Sequence, residues 1–239
     1  SHQRRKMKEE LGWFDRYFFG KETQGQEALK KDSPLDLAIK KLNFAHDGSC
    51  YGVRVMDRLI PETVTCVVNG RTVGVGRFEV TKAQWAEFDS SYSYNPQKAN
   101  YPVVGISFEK AKEYVEWLSS VTGKNYRLPE AKELEELINS APSGNVLDYW
   151  AGYTLNYDDA TQLRKLILDK QVDLTLPVDA FRPDKRYVFG LNGNVSEWAI
   201  GDNGQGVIIG KCAIIPLDEA SEYKNELQYT GFRILIELD

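Results

Sequence analysis

The sequence predicts an α+β fold, and three observations carry that expectation. β-favouring residues crowd residues 53–80, helix-period patterning fills the middle, and short β-favouring segments close the chain at 207–215 and 230–237. The text between these elements is irregular and rich in aromatics. With 239 residues, 42% hydrophobic and 27% charged, the chain has apolar mass for one large domain or two small ones.

In chain order, Met7, Leu11, Phe14 and Phe18 recur at helical spacing, so residues 3–19 are predicted as an amphipathic helix ending near Gly20. Arg4, Arg5 and Lys6 lead into this charged stretch and not into an apolar segment, so no signal peptide is read here and the start reads as cut. Residues 20–33 are a polar linker, and Ser33-Pro34 caps a second short helix carrying Leu37, Ile39 and Leu42. The expected division is therefore 1–20, 21–50 and a main domain at 51–239, the first two forming an N-terminal helical extension.

Within the main domain, Asn69-Gly70 marks a two-residue hairpin turn inside the β-rich 53–80 stretch. Thr81-Lys82-Ala83-Gln84 has capping-box form and starts a helix through Phe88. Ser107 begins the next, with Phe108, Ala111, Val115 and Leu118 as its buried stripe and Gly123 as its end. Pro129 is expected to start a third, turning Leu134, Leu137 and Ile138 inward. From Asn145 onward the chain is expected to be mostly loop, with a helix at 159–169 and the two closing β-segments.

Composition narrows the function. A net charge of −5, with no basic stripe, argues against nucleic acid or an anionic membrane surface as partner. Apolar runs such as Val207-Ile208-Ile209 fall far short of the roughly 20 residues that span a bilayer. The two histidines, His2 and His46, exclude a multi-histidine metal site. Cys50, Cys66 and Cys212 fit no disulfide framework or zinc ribbon. Cys50 and Cys66 read either as buried free thiols or, in an exported protein, as a bridged pair. The acid pairs Asp158-Asp159 and Glu135-Glu136 read as solvated, and Gly74-Val75-Gly76 lacks the following helix that phosphate binding needs.

Five blocks in order carry a resemblance. They are Phe78-Glu79-Val80-Thr81-Lys82-Ala83-Gln84-Trp85, Tyr101-Pro102-Val103-Val104-Gly105-Ile106-Ser107-Phe108, Thr122 to Pro129, Pro177-Val178-Asp179-Ala180-Phe181, and Gly193-Asn194-Val195-Ser196-Glu197-Trp198 before a terminal Gly231-Phe232-Arg233. Over roughly 55–239 the chain resembles the formylglycine-generating, sulfatase-modifying-factor family. The resemblance implies a variant of the C-type lectin fold whose chain ends meet in a small sheet. The residues themselves agree with it: an internal ion pair of Arg127 with Glu135 is expected, with Trp85, Trp117 and Trp198 as core anchors.

Active members oxidise a cysteine of sulfatases with a copper-bound cysteine pair, and here the departures lie. The matching text is Ile209-Gly210-Lys211-Cys212-Ala213-Ile214-Ile215, and the cysteine positions fall near Ile215 and Ala220. Copper(I) needs soft thiolates, so copper is not expected, and Cys212 reads as a packed strand cysteine. The family's calcium site would retain the carbonyls of Gly193 and Val195 and the carboxylate of Glu197. Its remaining side-chain ligand position holds Gly190, which lowers calcium affinity. No other cofactor is implied.

Residues 2–17 resemble the closing helix of prolyl-oligopeptidase-family serine hydrolases, which implies a hydrolase domain before residue 1 in the same polypeptide. The reading that results is a non-catalytic accessory or binding domain at the end of a serine peptidase. Its ligand would be a peptide or glycan held by Tyr149, Trp150, Tyr153 and Arg233. Two alternatives stand beside it: an enzyme with altered chemistry using Cys212, Arg233 or Glu197, and a purely structural interdomain module. No compartment is indicated.

Overall fold

The computed structural model describes residues 50–141, 146–191, 193–216 and 224–238. The helices expected at 3–19 and near 34–42 lie outside the described residues.

Val53–Val55 (β1) and Arg58–Ile60 (β2) form a short antiparallel hairpin, followed by Thr63–Val68 (β3) and Arg71–Gly76 (β4). β3 and β4 pair across Asn69-Gly70, whose φ values of 47° and 74° are those a two-residue turn with right-handed strand twist demands. The helix Lys82–Phe88 (α1) opens on the expected capping box. Gln84 N donates to Thr81 Oγ1 at 3.2 Å, and Thr81 N donates to Gln84 Oε1 at 3.0 Å. Ser107 caps Phe108–Thr122 (α2) by accepting from Lys110 N, and Gly123 ends it at φ 70°. After Tyr126–Arg127 (β5) comes Ala131–Asn139 (α3), which starts two residues later than Pro129 suggested. The reason is local: the Pro129 carbonyl accepts from Ile200 N at 2.8 Å, so Glu130 stays extended and becomes the cap.

Val146–Ala151 (α4) is a helix where loop was expected, and Tyr157–Asp169 (α5) begins from Asn156, whose Oδ1 accepts from Asp159 N at 3.0 Å. Ser196–Ile200 (β6) is a further strand in text expected to be loop. Gly206–Ile209 (β7) stops at Gly210, at φ 86°, so the β-segment expected to reach 215 is halved. Beyond it, Ala213 N donates to Asn194 O and Ile215 N to Cys212 O, which is turn bonding and not a ladder. The closing segment divides into Thr230–Gly231 (β8) and Leu235–Glu237 (β9), with Phe232 and Ile234 carbonyls serving Val80 N and Gly76 N between them.

The strands make an antiparallel sheet in the order β3-β4-β9-β5 and a three-stranded sheet β7-β6-β8. In the second, β6 runs antiparallel to β7 and parallel to β8. The last strand therefore lies between β4 and β5, and the α+β expectation holds. Burial follows from the patterning. The α2 stripe packs with Trp85, Phe232, Ile234 and Ile236, and Trp85 stacks on Tyr114 at 5.6 Å. Phe232 meets both rings edge-on at 5.9 and 5.4 Å, the offset geometry that aromatic quadrupoles favour. A second cluster joins α4 and α5 to Cys212, Ala213, Ile214, Ile215 and Tyr229. Among the described residues, no helix is long and apolar enough to cross a membrane.

Candidate functional site

Three places answer to the residues singled out by the sequence. The first is a buried ionic cluster. Arg233 is 0% exposed, and its Nε and Nη2 donate to Glu197 Oε2 and Oε1 at 2.7 and 2.6 Å. Its remaining donors reach main-chain carbonyls, Nη1 to Gly76 O at 3.1 Å and Nη2 to Phe189 O at 3.0 Å. Arg233 is thus a tie between β4, β6 and the 189 segment, which corrects its expected place on a binding face. Burial works against its charge, but Glu197, Glu79 and Asp184 more than offset this and hold its pKa above the ordinary value.

Both oxygens of Glu197 are bonded to that guanidinium, which makes this carboxylate a poor member of the weak calcium set that the sequence left open. A divalent ion on Glu197 would stand beside a fixed buried cation. Gly193, at φ 104°, and Val195 are buried in the same loop.

Glu79 enters this cluster without having been singled out. It is 1% exposed, its carboxylate oxygens make no well-formed hydrogen bond, and the nearby Asn194 amide, which adds a weak pull, also donates to Leu176 O at 3.1 Å. Burial pushes its pKa up to about 7, against the pull of Arg233 and with the repulsion of Glu197. Gly190, at φ 67°, is what leaves it room, because a Cβ there would stand 2.1 Å from Glu79 Oε2. The available signal was a carboxylate set between Phe78 and Val80, but strand alternation points such a residue outward.

A second ionic tie holds β5 to α3 and β9. Arg127 donates to Glu133 Oε2 and Oε1 at 2.6 and 2.7 Å and to Glu237 Oε1 at 2.5 Å. The partner is therefore Glu133 and not Glu135, which is exposed, lying about 200° round the helix from Glu133. Trp198 donates its indole N–H to Ile106 O at 2.7 Å.

The second place is the region matched to the copper thiols. Cys212 is 0% exposed among Val146, Leu147, Ile214, Ile215 and Tyr229, and burial pushes its thiol up. Ile215 is buried beside it, and Ala220 lies outside the described residues. A thioether-free, thiolate-poor apolar cluster is the wrong donor set for copper(I). Cys50 and Cys66 are free thiols, not a bridge.

The third place is the surface of α4 and the turn into α5. Tyr149, Trp150 and Tyr153 are 64%, 52% and 52% exposed. Tyr149 and Trp150 meet edge to face at 5.5 Å, Trp150 Nε1 donates to Leu174 O at 3.2 Å, and Tyr153 Oη donates to Asp159 Oδ2 at 2.9 Å. The structure leaves all three aromatics exposed and puts Tyr149 against Trp150, whereas Arg233 is buried.

Residues 42–212 match the family model described as sulfatase-modifying factor enzyme 1-like domain. Among solved structures, the chain is similar to PvdO from Pseudomonas aeruginosa at 18% identity and a TM-score of 0.49, over 75% of this chain and 92% of that one. It is similar to CarF at 17% and 0.46, over 75% and 99%, and to Treponema denticola variable protein 1 at 14% and 0.46, over 76% and 93%. No curated protein matches.

Proposed function

The chain belongs to the sulfatase-modifying factor enzyme 1-like family, and from that premise we propose that it is a non-catalytic accessory or binding domain. The observation that carries the reading is the state of the only cysteine near the family's thiol positions. Cys212 is sealed in an apolar cluster with its thiol pushed up, and Ile215 occupies the matched position beside it. A thiol that is neither ionised nor reachable does not ligate copper or attack a substrate.

The altered-enzyme alternative needs Cys212, Arg233 or Glu197 at a reachable surface. All three are buried, and the two charged groups neutralise each other. The exposed Tyr149, Trp150 and Tyr153 favour a binding role over a purely structural one, since large aromatics left in water are a feature of interaction surfaces. The proposal extends to a preceding serine peptidase domain, on the resemblance of residues 2–17 alone. A full reading frame with an upstream Gly-x-Ser-x-Gly elbow, then Asp and His, supports that part, and a frame without it removes it.

The test of the central reading is turnover. The chain, given copper, oxygen and a cysteine-containing peptide, is expected to consume thiol no faster than a protein-free blank. Catalytic consumption contradicts the proposal.

A further inference from the structure

Strand β3 closes one end of the four-stranded sheet, whose order is β3-β4-β9-β5. Its inner side is fully engaged. Residues Thr63 to Val68 pair in sequence with Gly76 to Arg71, and just before them Arg77 N donates to Glu62 O at 2.8 Å. Alternation then sorts the strand. Val64, Cys66 and Val68 turn their main-chain groups to β4, and Thr63, Thr65 and Val67 turn theirs outward. Gly76 N, which reaches Ile234 O on the far side of β4, fixes the same parity. Among the described residues, nothing bonds to the outward N–H and C=O groups of Thr63, Thr65 and Val67. Thr65 and Val67 are exposed, Val67 to 57%.

Proteins usually blunt a free edge with a lysine, a proline or a bulge. β3 has none of these: Thr-Val-Thr-Cys-Val-Val is uncharged, and its ladder with β4 is unbroken. β5, at the opposite edge, has two residues and offers little to pair with.

A second copy brings the same groups to this edge, and the sequence selects one register. Antiparallel pairing about a twofold axis through Thr65 sets Thr65 against Thr65 and Thr63 against Val67, so every outward donor and acceptor of the three residues is used. Moving the axis to Cys66 sets Thr63 against Asn69, whose N–H is already given to Glu136 Oε2 at 2.6 Å. Moving it to Val64 sets Val67 against Pro61, which has no N–H to give. In the favoured register no like charges are opposed, because residues 63–68 carry none and Glu62, just outside, is held by Arg77 at 3.0 Å. The facing side chains are all β-branched, the type that packs well across strands. An edge of this length runs about 20 Å and is roughly 10 Å deep, so each copy buries on the order of 200 Å², well under the ~800 Å² per partner of a stable interface. Such a dimer is weak and depends on concentration.

We propose that the free edge of β3, Thr63–Val68, is a self-association surface that pairs antiparallel with β3 of a second copy, with Thr65 on the twofold axis. This stands independently of the binding-domain reading.

The test is sedimentation of the full chain from ~10 µM to ~1 mM. The expected result is a monomer that passes to a dimer within this range. Thr65→Lys, at an exposed edge position, puts like charges on the axis and is expected to weaken dimerisation at least about tenfold with an unchanged melting temperature. Disulfide trapping with diamide checks the register. Thr65→Cys is expected to give a covalent dimer with itself, since its Cα atoms meet at about 5.5 Å. Thr63→Cys is expected to be trapped only when mixed with Val67→Cys.

A chain that stays monomeric at ~1 mM, or a dimer that Thr65→Lys leaves unchanged, overturns the proposal. So does Thr63→Cys trapping itself as readily as Thr65→Cys does.

Discussion

Glu79 carries a carboxyl into a space that already holds Glu197 and Arg233, one anion more than the guanidinium balances. The unfolded chain ionises this group near its ordinary 4.5 and the folded chain near 7, so the folded state keeps an extra proton between those values. The stability supplied by the neutral carboxyl is complete below the unfolded value, is lost as pH rises through 7, and stays lost above it. Glu79→Gln removes that loss. The difference in urea midpoint between variant and parent is expected to shift in the variant's favour from about pH 5 to about pH 8, and a constant difference contradicts the assignment. Glu133 and Asp173, whose charged forms are stabilised despite burial, contribute stability that is lost only as pH falls below their ordinary values of 4.5 and 3.8, outside this window and alike in both proteins. Breaking the pair at Arg233→Met leaves Glu197 buried without its partner and is expected to cost about 3–5 kcal/mol in urea denaturation. Gly190→Ala combines a positive φ with a Cβ against the Glu79 carboxylate, and is expected to cost more than about 1 kcal/mol.

Element by element, what is local is what the sequence discloses. α1 and α2 carry their own start signals and buried stripes within contiguous text, so both caps and the Gly123 stop were legible. Thr81→Ala removes the hydroxyl that accepts from Gln84 N and is expected to lower stability by about 1 kcal/mol, measured by urea denaturation. β5, β6 and α4 were not legible, because two to six residues carry no period and each is held by a distant partner: β5 by β9, β6 by β7 and β8, α4 by the Cys212 cluster. The same limit governed the candidate site. The ordered motif blocks were readable, but the bond joining Arg233 to Glu197 spans 36 positions, and no local pattern announces it. Tyr149, Trp150 and Tyr153 were picked out for composition, whereas the bonds that hold Trp150 to Leu174 and Tyr153 to Asp159 have no local signature.

At the scale of the described main domain, β9 lies between β4 and β5 and Arg233 ties β4 to β6, so the last residues close the sheet that β3 and β4 begin. A chain ending at Ile234 lacks that central strand and is expected to lose its cooperative urea transition, while a transition of unchanged midpoint contradicts the topology's role. The scaffold of the family is thus held by long-range ties that do not involve thiols, while Cys212 and Ile215 are sealed in an apolar cluster, as the proposed non-catalytic reading requires. Equilibrium titration with copper(I) against a competing chelator tests this most directly. The expected result is no stoichiometric site that depends on Cys212. One equivalent of tightly held copper that Cys212→Ala abolishes would contradict the account.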